Sequence, residues 1–331
     1  MSAADRPSPR SVLVTGAGGL IGTRVVSRLI EAAPEIETVV ALDLRAVPEG
    51  SRIDGVDHHE GDIRDPGLAA LMVEHAVDTV VHLAAVVTPG PDSTRELEHS
   101  IDVGGTENVV AAALTAGVGH FVYTSSGAAY GYHADNPVPL HEDDALRGNP
   151  EFAYADHKRQ VEEMLRRHRD RHPELAQLVF RPGTILGASV ANPITAMFDR
   201  PVVVGVRGSD SPFVLVWDTD VADCIVTGVR ERRTGIYNLA GDGVITLAEI
   251  ARRLDKRHVA LPAAVLAGAL WIARALRLGR VGPEQVRFLR HRPVLANDAL
   301  KDEFGFTPSL TSEECFERYR ELRFPDRGPV R

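Results

Sequence analysis

Val12-Leu-Val-Thr-Gly16-Ala-Gly-Gly19-Leu-Ile-Gly22 decides the fold of this 331-residue chain. A short apolar run ends in a glycine-rich turn, and a helical pattern opens at Leu20. Gly16 suits the tight turn, Gly19 lets the backbone approach a pyrophosphate, and Gly22 permits close packing of helix on strand. The first helical turn, with Leu20 and Ile21, offers unpaired N–H groups and the positive end of the helix dipole to phosphates. Asp43 closes the next apolar run. Its carboxylate is placed to accept from the adenosine ribose hydroxyls and would repel a 2′-phosphate, which favours NAD. Arg45 nearby keeps NADP as the less favoured alternative.

Working outward, the first half alternates β-branched runs with helical patterns. Strands are expected at 11–15, 38–43, 56–60, 78–83, 120–125 and 177–181, with helices at 20–32, 66–75, 94–116 and 150–172. This rhythm means a parallel sheet covered by helices on both faces, an α/β Rossmann-like doubly wound fold. Beyond Arg181 the pattern loosens. The stretch 183–212 is rich in Gly, Pro, Asn and Ser and leaves the sheet; 213–217 and 235–239 are expected to return to it, with a helix at 221–230 between them. Thr246 with Glu249 three residues on has the form of a capping box. The expected division is a cofactor-binding domain at 11–182 plus 213–240, and a smaller, discontinuous, C-terminal substrate-binding region at 183–212 plus 241–325. Residues 1–10 are expected as a disordered lead-in rather than a secretory signal, and the expected location is therefore cytoplasmic.

Composition limits the partners. A net charge of −9 disfavours nonspecific nucleic-acid binding. Cys224 and Cys315 lie far apart without metal-ligand spacing, so they are expected as buried thiols and no metal site is expected. The uncharged run 260–273 is shorter than the ~20 residues needed to cross a bilayer. It is expected as a buried or pocket-lining helix starting near Pro262, with docking on a membrane surface as the alternative.

Tyr154-Ala-Asp-His-Lys158 places a phenol and an ammonium four residues apart on one helical face. A phenol titrates near pH ~10, and a fixed cation beside it favours the phenolate. Tyr154 could then take a proton from a substrate hydroxyl as hydride leaves, or return it in reduction. Ser126, at the end of the fifth strand, would hydrogen-bond the same oxygen as charge develops.

These residues together resemble the extended short-chain dehydrogenase/reductase family, the NAD-dependent epimerase/dehydratases. The resemblance runs through Thr15–Gly22, Gly61-Asp-Ile-Arg-Asp65, Val81-His-Leu-Ala-Ala85, Ser125-Ser-Gly-Ala-Ala-Tyr-Gly131, Tyr154/Lys158, Arg181-Pro-Gly183 and Trp217-Asp-Thr-Asp-Val-Ala222. It implies that Asp62 and Ile63 contact adenine and that Leu83, Ala84 and Ala85 line the cofactor. It also implies that Lys158 bonds the nicotinamide ribose and that residues from Pro182 to Ile185 border the nicotinamide. Ser126 matches the catalytic Ser/Thr position, with Ser125 as the fallback. A homodimer is implied, through the helix bearing Tyr154 and the long helix before the fifth strand.

Departures from the family pattern narrow the chemistry. Asp102 stands where Asn is common. Gly127 and Ala128 replace the Asp-Glu pair of sugar dehydratases, which argues against dehydration. The excursion from Gly187 to Pro212 is short, with only Arg200 and Arg207 as cations. The leading expectation is therefore an NAD-dependent dehydrogenase/reductase acting on a secondary alcohol or ketone of a small molecule, with lipophilic substrates among the candidates. The alternatives are a sugar-nucleotide epimerase and a noncatalytic nucleotide-binding scaffold. Tyr132, His133, Thr184, Asn192 and Trp217 are candidate pocket residues.

Overall fold

The computed structural model describes residues 9–90, 92–276 and 282–325. The expected lead-in at 1–10 falls almost wholly outside these residues. The chain folds as two compact units. The first comprises the described parts of Met1–Ser126, His157–Arg181 and Asp218–Tyr237; the second comprises Gly127–Asp156, Pro182–Trp217 and the described part of Asn238–Arg331.

In the first unit the elements run β1 (Ser11–Thr15), α1 (Leu20–Ala32), β2 (Thr38–Asp43), β3 (Val56–Glu60), α2 (Leu68–Glu74) and β4 (Thr79–His82). Next come α3 (Arg95–His99), α4 (Thr106–Ala116), β5 (His120–Thr124), α5 (Ala153–Arg171) and β6 (Ala176–Pro182), two of which cross the division between units. Every residue of β1 and β4 is buried, as expected of strands covered on both faces. In α1 the buried residues Gly22, Val25, Val26 and Leu29 recur at helical spacing, so one stripe faces the sheet.

The second unit adds β7 (Thr184–Leu186), α6 (Pro193–Asp199), β8 (Val202–Val206), β9 (Pro212–Phe213) and β10 (Leu215–Trp217). The chain re-enters the first unit with α7 (Asp218–Arg230), and β11 (Gly235–Leu239) crosses the division. The second unit is completed by β12 (Ile245–Thr246), α8 (Leu247–Arg253), β13 (Arg257–Leu261), α9 (Ala263–Ala275), α10 (Gln285–Arg290), α11 (Asp298–Asp302) and α12 (Ser312–Arg323).

The central sheet has seven strands in the order β11-β6-β5-β4-β1-β2-β3. From β3 through β6 the pairings are parallel, and the order reverses between β1 and β4. The crevice at the carboxyl ends of strands flanking such a reversal is where doubly wound folds take ligands.

Three expectations need correction. Residues 213–217 do not return to the central sheet: β10 pairs with β7 and β9 with β12, because Val214 interrupts the run and the two halves serve different partners. The helix expected at 94–116 contains a π-helical turn, Ser100–Gly105, between α3 and α4. The run expected as a buried or pocket-lining helix is α9, and the buried half of that expectation fails, since only Leu266 is buried. Apart from Arg274 this 13-residue helix is uncharged on every face, and it meets the second unit's core through Leu266 with Ala263, Ala267 and Leu270, so Trp271 stays 64% exposed. No helix among the described residues is long and apolar enough to cross a membrane. Thr246 does cap α8, accepting from Glu249 N at 3.1 Å, while the Glu249 carboxylate turns to Arg252 and Arg253.

Candidate active site

The glycine turn lies at the reversal point of the sheet. Gly16 has φ +70°, and a Cβ there would come within 2.6 Å of Ala84 N, so β1 and β4 meet without room for a side chain. Leu83 N donates to Thr15 O at 3.1 Å, which sets Leu83 and Ala84 beside the turn. Gly19 is the N-cap of α1, and no side chain caps this end. The first turn also lacks an acidic residue, so its N–H groups and dipole remain suited to an anion. A cavity of about 430 Å³ opens here, lined by Ala17, Gly18, Gly19, Asp43, Arg45 and His58 among others.

Asp43 is held at the rim of this cavity. Its carboxylate accepts from Gly18 N at 2.9 Å and from Arg45 N at 3.2 Å. A carboxylate has about four lone-pair sites, so two backbone donors leave capacity for ribose hydroxyls. Asp62 is engaged by Arg64 at 2.6 Å, and that hydrogen bond, with the guanidinium charge, lowers its pKa. The backbone of Ile63 is fixed by Asn108, whose Nδ2 donates to Ile63 O at 2.8 Å. The uncapped helix start, the glycine cradle and the rim carboxylate fit a dinucleotide.

Lys158 is buried, one helical turn after Tyr154 on α5. Its ammonium donates to Thr124 O at 2.8 Å and Tyr123 Oη at 3.0 Å, and lies 4.6 Å from the centre of the Tyr123 ring. Burial holds its pKa down to about 8, opposed by the charges of Asp102 and Glu162. Close by, burial pushes His82 down to about 3, with the Lys158 charge adding to the effect. His82 is therefore neutral, bridging Thr15 Oγ1 at 2.7 Å and Thr106 Oγ1 at 2.9 Å.

The two serines are distinguished by their surroundings. Ser125 is buried and donates to Glu162 Oε1 at 2.5 Å. Glu162 also receives Arg181 Nη2 at 2.7 Å and Nε at 3.0 Å. Ser125 thus belongs to a buried network, and Ser126 follows it at the strand end. Asp102 has a comparable supporting role on its π-helical turn. It accepts from Val86 N at 2.8 Å and contacts His157 Nδ1 at 2.9 Å, so it orders both the segment after β4 and α5.

In the second unit Tyr154 packs with Phe152 and Phe288 against Ala128, Tyr132 and Ala155. The Phe288 ring also underlies Arg292, whose Cζ is 4.5 Å from its centre and 3.9 Å from that of Phe213. Arg292 Nη2 donates to Thr184 Oγ1 at 2.8 Å. Its Nε and Nη1 are buried and have no hydrogen-bond partner among the described residues. Burial lowers the guanidinium pKa to about 10, opposed by Tyr132. A guanidinium remains charged there, so two buried nitrogens, with three N–H bonds between them, face no acceptor among the described residues. Sequence reading missed Arg292, which stands isolated in His-Arg-Pro far from every motif. Tyr132 and Thr184 gather around it. Of the other candidate pocket residues, Asn192 caps α6, Trp217 belongs to the apolar core, and His133 bonds Gly148 O. Both cysteines are buried and free, and burial raises the Cys224 pKa well above its usual value.

Comparison with known proteins places these features. An uncharacterized protein of Mycobacterium tuberculosis is 25% identical over 314 residues, covering 94% of this chain and 83% of that one. A UDP-glucose 4-epimerase of Erwinia amylovora is 30% identical over 188 residues, covering 54% of each chain. Among solved structures, MoeE5 in complex with UDP-glucuronic acid and NAD matches with a TM-score of 0.73 at 21% identity, covering 96% of this chain and 99% of that one. UDP-glucose 4-epimerase of Thermotoga maritima with UDP-glucose matches with a TM-score of 0.72 at 20% identity and the same coverage. The family model for NAD dependent epimerase/dehydratases matches residues 12–240, and with the Rossmann-like sheet and glycine turn it assigns the chain: this protein belongs to the NAD-dependent epimerase/dehydratase family.

Proposed function

We propose that the chain is an NAD-dependent oxidoreductase acting at a secondary alcohol or ketone carbon of a small molecule that carries an anionic group. The observation that carries the reaction type is the fixed ammonium of Lys158, one turn from Tyr154 and bonded to the strand end that leads into Ser126. When bound, NAD supplies the hydride acceptor. Gly16, Gly19, Leu20, Ile21 and Gly22 hold its diphosphate, and Asp43 takes the adenosine ribose. Asp62 and Ile63 border adenine, while Leu83, Ala84, Ala85 and Pro182 line the remainder. Lys158 favours the Tyr154 phenolate and bonds the nicotinamide ribose. Tyr154 Oη removes the proton from the substrate hydroxyl, and Ser126 Oγ donates to the same oxygen as it gains charge.

Arg292 narrows the substrate. Leaving a buried guanidinium unsatisfied is costly, and a phosphate or carboxylate is the group its planar fork matches. This observation favours an anionic handle over a wholly lipophilic molecule. It also supports a second reading, a sugar-nucleotide epimerase in which the hydride returns to the same substrate. The UDP-sugar enzymes among the relatives and structural neighbours agree with a diphosphate as that handle.

The test is turnover with NAD on a panel of nucleotide sugars and of uncharged secondary alcohols, following both the cofactor and the carbinol configuration by NMR. Net reduction of the cofactor supports the dehydrogenase, and inversion without net reduction supports the epimerase. Tyr154→Phe should lower turnover by about a thousandfold in either case; a variant that keeps its rate removes Tyr154 from the chemistry. Arg292→Met should raise KM for anionic substrates while sparing uncharged ones. The same reading includes a homodimer through α4 and α5, measured by light scattering.

A further inference from the structure

On the sheet's outer edge, β3 presents Asp57 and His59 on one face, since residues two apart on a strand point the same way. His58, between them, points to the other face, where it lines the nucleotide cavity and its Nε2 accepts from Ile53 N at 3.2 Å. His75 closes the carboxyl end of α2 and joins the first pair from the neighbouring element. His59 Nε2 is 3.2 Å from Asp57 Oδ1, and His75 Nδ1 is 3.4 Å from Asp57 Oδ2. The two imidazoles meet edge to face with centroids 5.1 Å apart. One donor atom from each of the three residues lies within 4.8 Å of the other two.

We propose that Asp57, His59 and His75 form a binding site for a zinc-class divalent transition-metal ion, outside the nucleotide cavity. Two ligand atoms each about 2.0–2.1 Å from a tetrahedral ion are separated by about 3.3 Å. The two histidine–carboxylate separations fall on either side of that value. His59 Nε2 is itself buried and has no hydrogen-bond partner among the described residues despite its short distance to Asp57. An unmet buried nitrogen beside a carboxylate is what a bound cation resolves. Two imidazoles and one carboxylate suit zinc-class ions better than Mg²⁺ or Ca²⁺, which prefer all-oxygen sites. Asp57 is half exposed, which leaves water as a fourth ligand and gives the ion a route in.

The ion would also close the loop between His59 and His75, the segment that holds Asp62 and Ile63. It would therefore fasten the edge strand to the end of the helix.

The experiment uses the full chain without a polyhistidine tag, stripped by chelator and free of NAD. Zn²⁺ binding is measured by equilibrium dialysis, and Co²⁺ is followed by its visible absorption. One ion per chain, an intense four-coordinate Co²⁺ spectrum, and at least about thirtyfold weaker binding in both His59→Gln and Asp57→Asn support the site. All three residues are partly exposed, so the variants should melt with the stripped protein, and added Zn²⁺ should raise the Tm of the parent alone. Binding of equal strength in parent and variants, a six-coordinate spectrum, or no ion retained at micromolar Zn²⁺ overturns the proposal. None of these readouts depends on turnover, so they stand apart from the proposed reaction.

Discussion

Replacing Lys158 by methionine should make the protein less active and, near neutral pH, more stable. Lys158 is 6% exposed, and burial lowers its pKa from 10.5 to about 8. At about 1.4 kcal/mol for each tenfold, keeping this group charged costs the folded state about 3 kcal/mol at pH 7. Methionine fills a similar volume without a charge. It forfeits the bonds to Thr124 O and Tyr123 Oη, worth about 1 kcal/mol each. The net expectation is a gain of about 1 kcal/mol. The pH dependence follows from a folded-state pKa that lies below the unfolded one. The cost is complete below about pH 8 and vanishes as pH rises through 10.5, so the variant's advantage should fade and then reverse across that window. Urea denaturation followed by circular dichroism at about pH 7 and pH 10 measures both differences. A variant less stable by 2 kcal/mol at neutral pH, or a difference that ignores pH, would refute the account of Lys158 as a buried and strained cation.

Other perturbations address the supporting residues. Arg181→Met strands the charge of Glu162, both side chains being 4% exposed, and should cost about 3–5 kcal/mol. The double variant Arg181→Met/Glu162→Met should recover most of this in urea denaturation, and a double variant as unstable as the single would contradict the pairing. Asp102→Ala removes the acceptor for Val86 N and the partner of His157, and should cost about 2 kcal/mol. Asp102→Asn can keep both contacts and should stay within about 1 kcal/mol of the parent by the same measurement. Asp43→Ala should weaken NAD binding by about tenfold and reduce discrimination against NADP, as read by fluorescence titration; unchanged affinities would remove Asp43 from the ribose site.

Much of the first unit was legible because its signals are local. β1, α1, β2 and β3 begin and end where apolar runs, glycines and Asp43 place them, since β1 and β2 are covered on both faces and each turn has its own residue requirement, although β3 lies partly exposed at the sheet edge. The second unit was less legible because its short strands are defined by partners rather than by their own pattern. Phe213 and Leu215 read as one strand, yet they pair with Ile245 and Thr184 respectively. Arg292 carries no motif, and only the three-dimensional convergence of Phe213, Phe288 and Thr184 marks it. The apolar run of α9 reads as buried because hydropathy reports what a helix could cover, not what covers it. The Asp57, His59 and His75 cluster combines two strand positions with a helix end, a coincidence that spacing does not show.

The π-helical turn at Ser100–Gly105 has a consequence for how related chains should be aligned. Such a turn holds one residue more than the α-helical turns beside it. Removing a single residue there would restore an unbroken helix and swing the part before the deletion by about 100°. Asp102 could then no longer meet both Val86 N and His157, which it now does at 2.8 and 2.9 Å. A relative one residue shorter at this point should therefore have no acid at the aligned column. It should satisfy the amide after β4 by another route, and an alignment that spreads the gap elsewhere would hide the exchange.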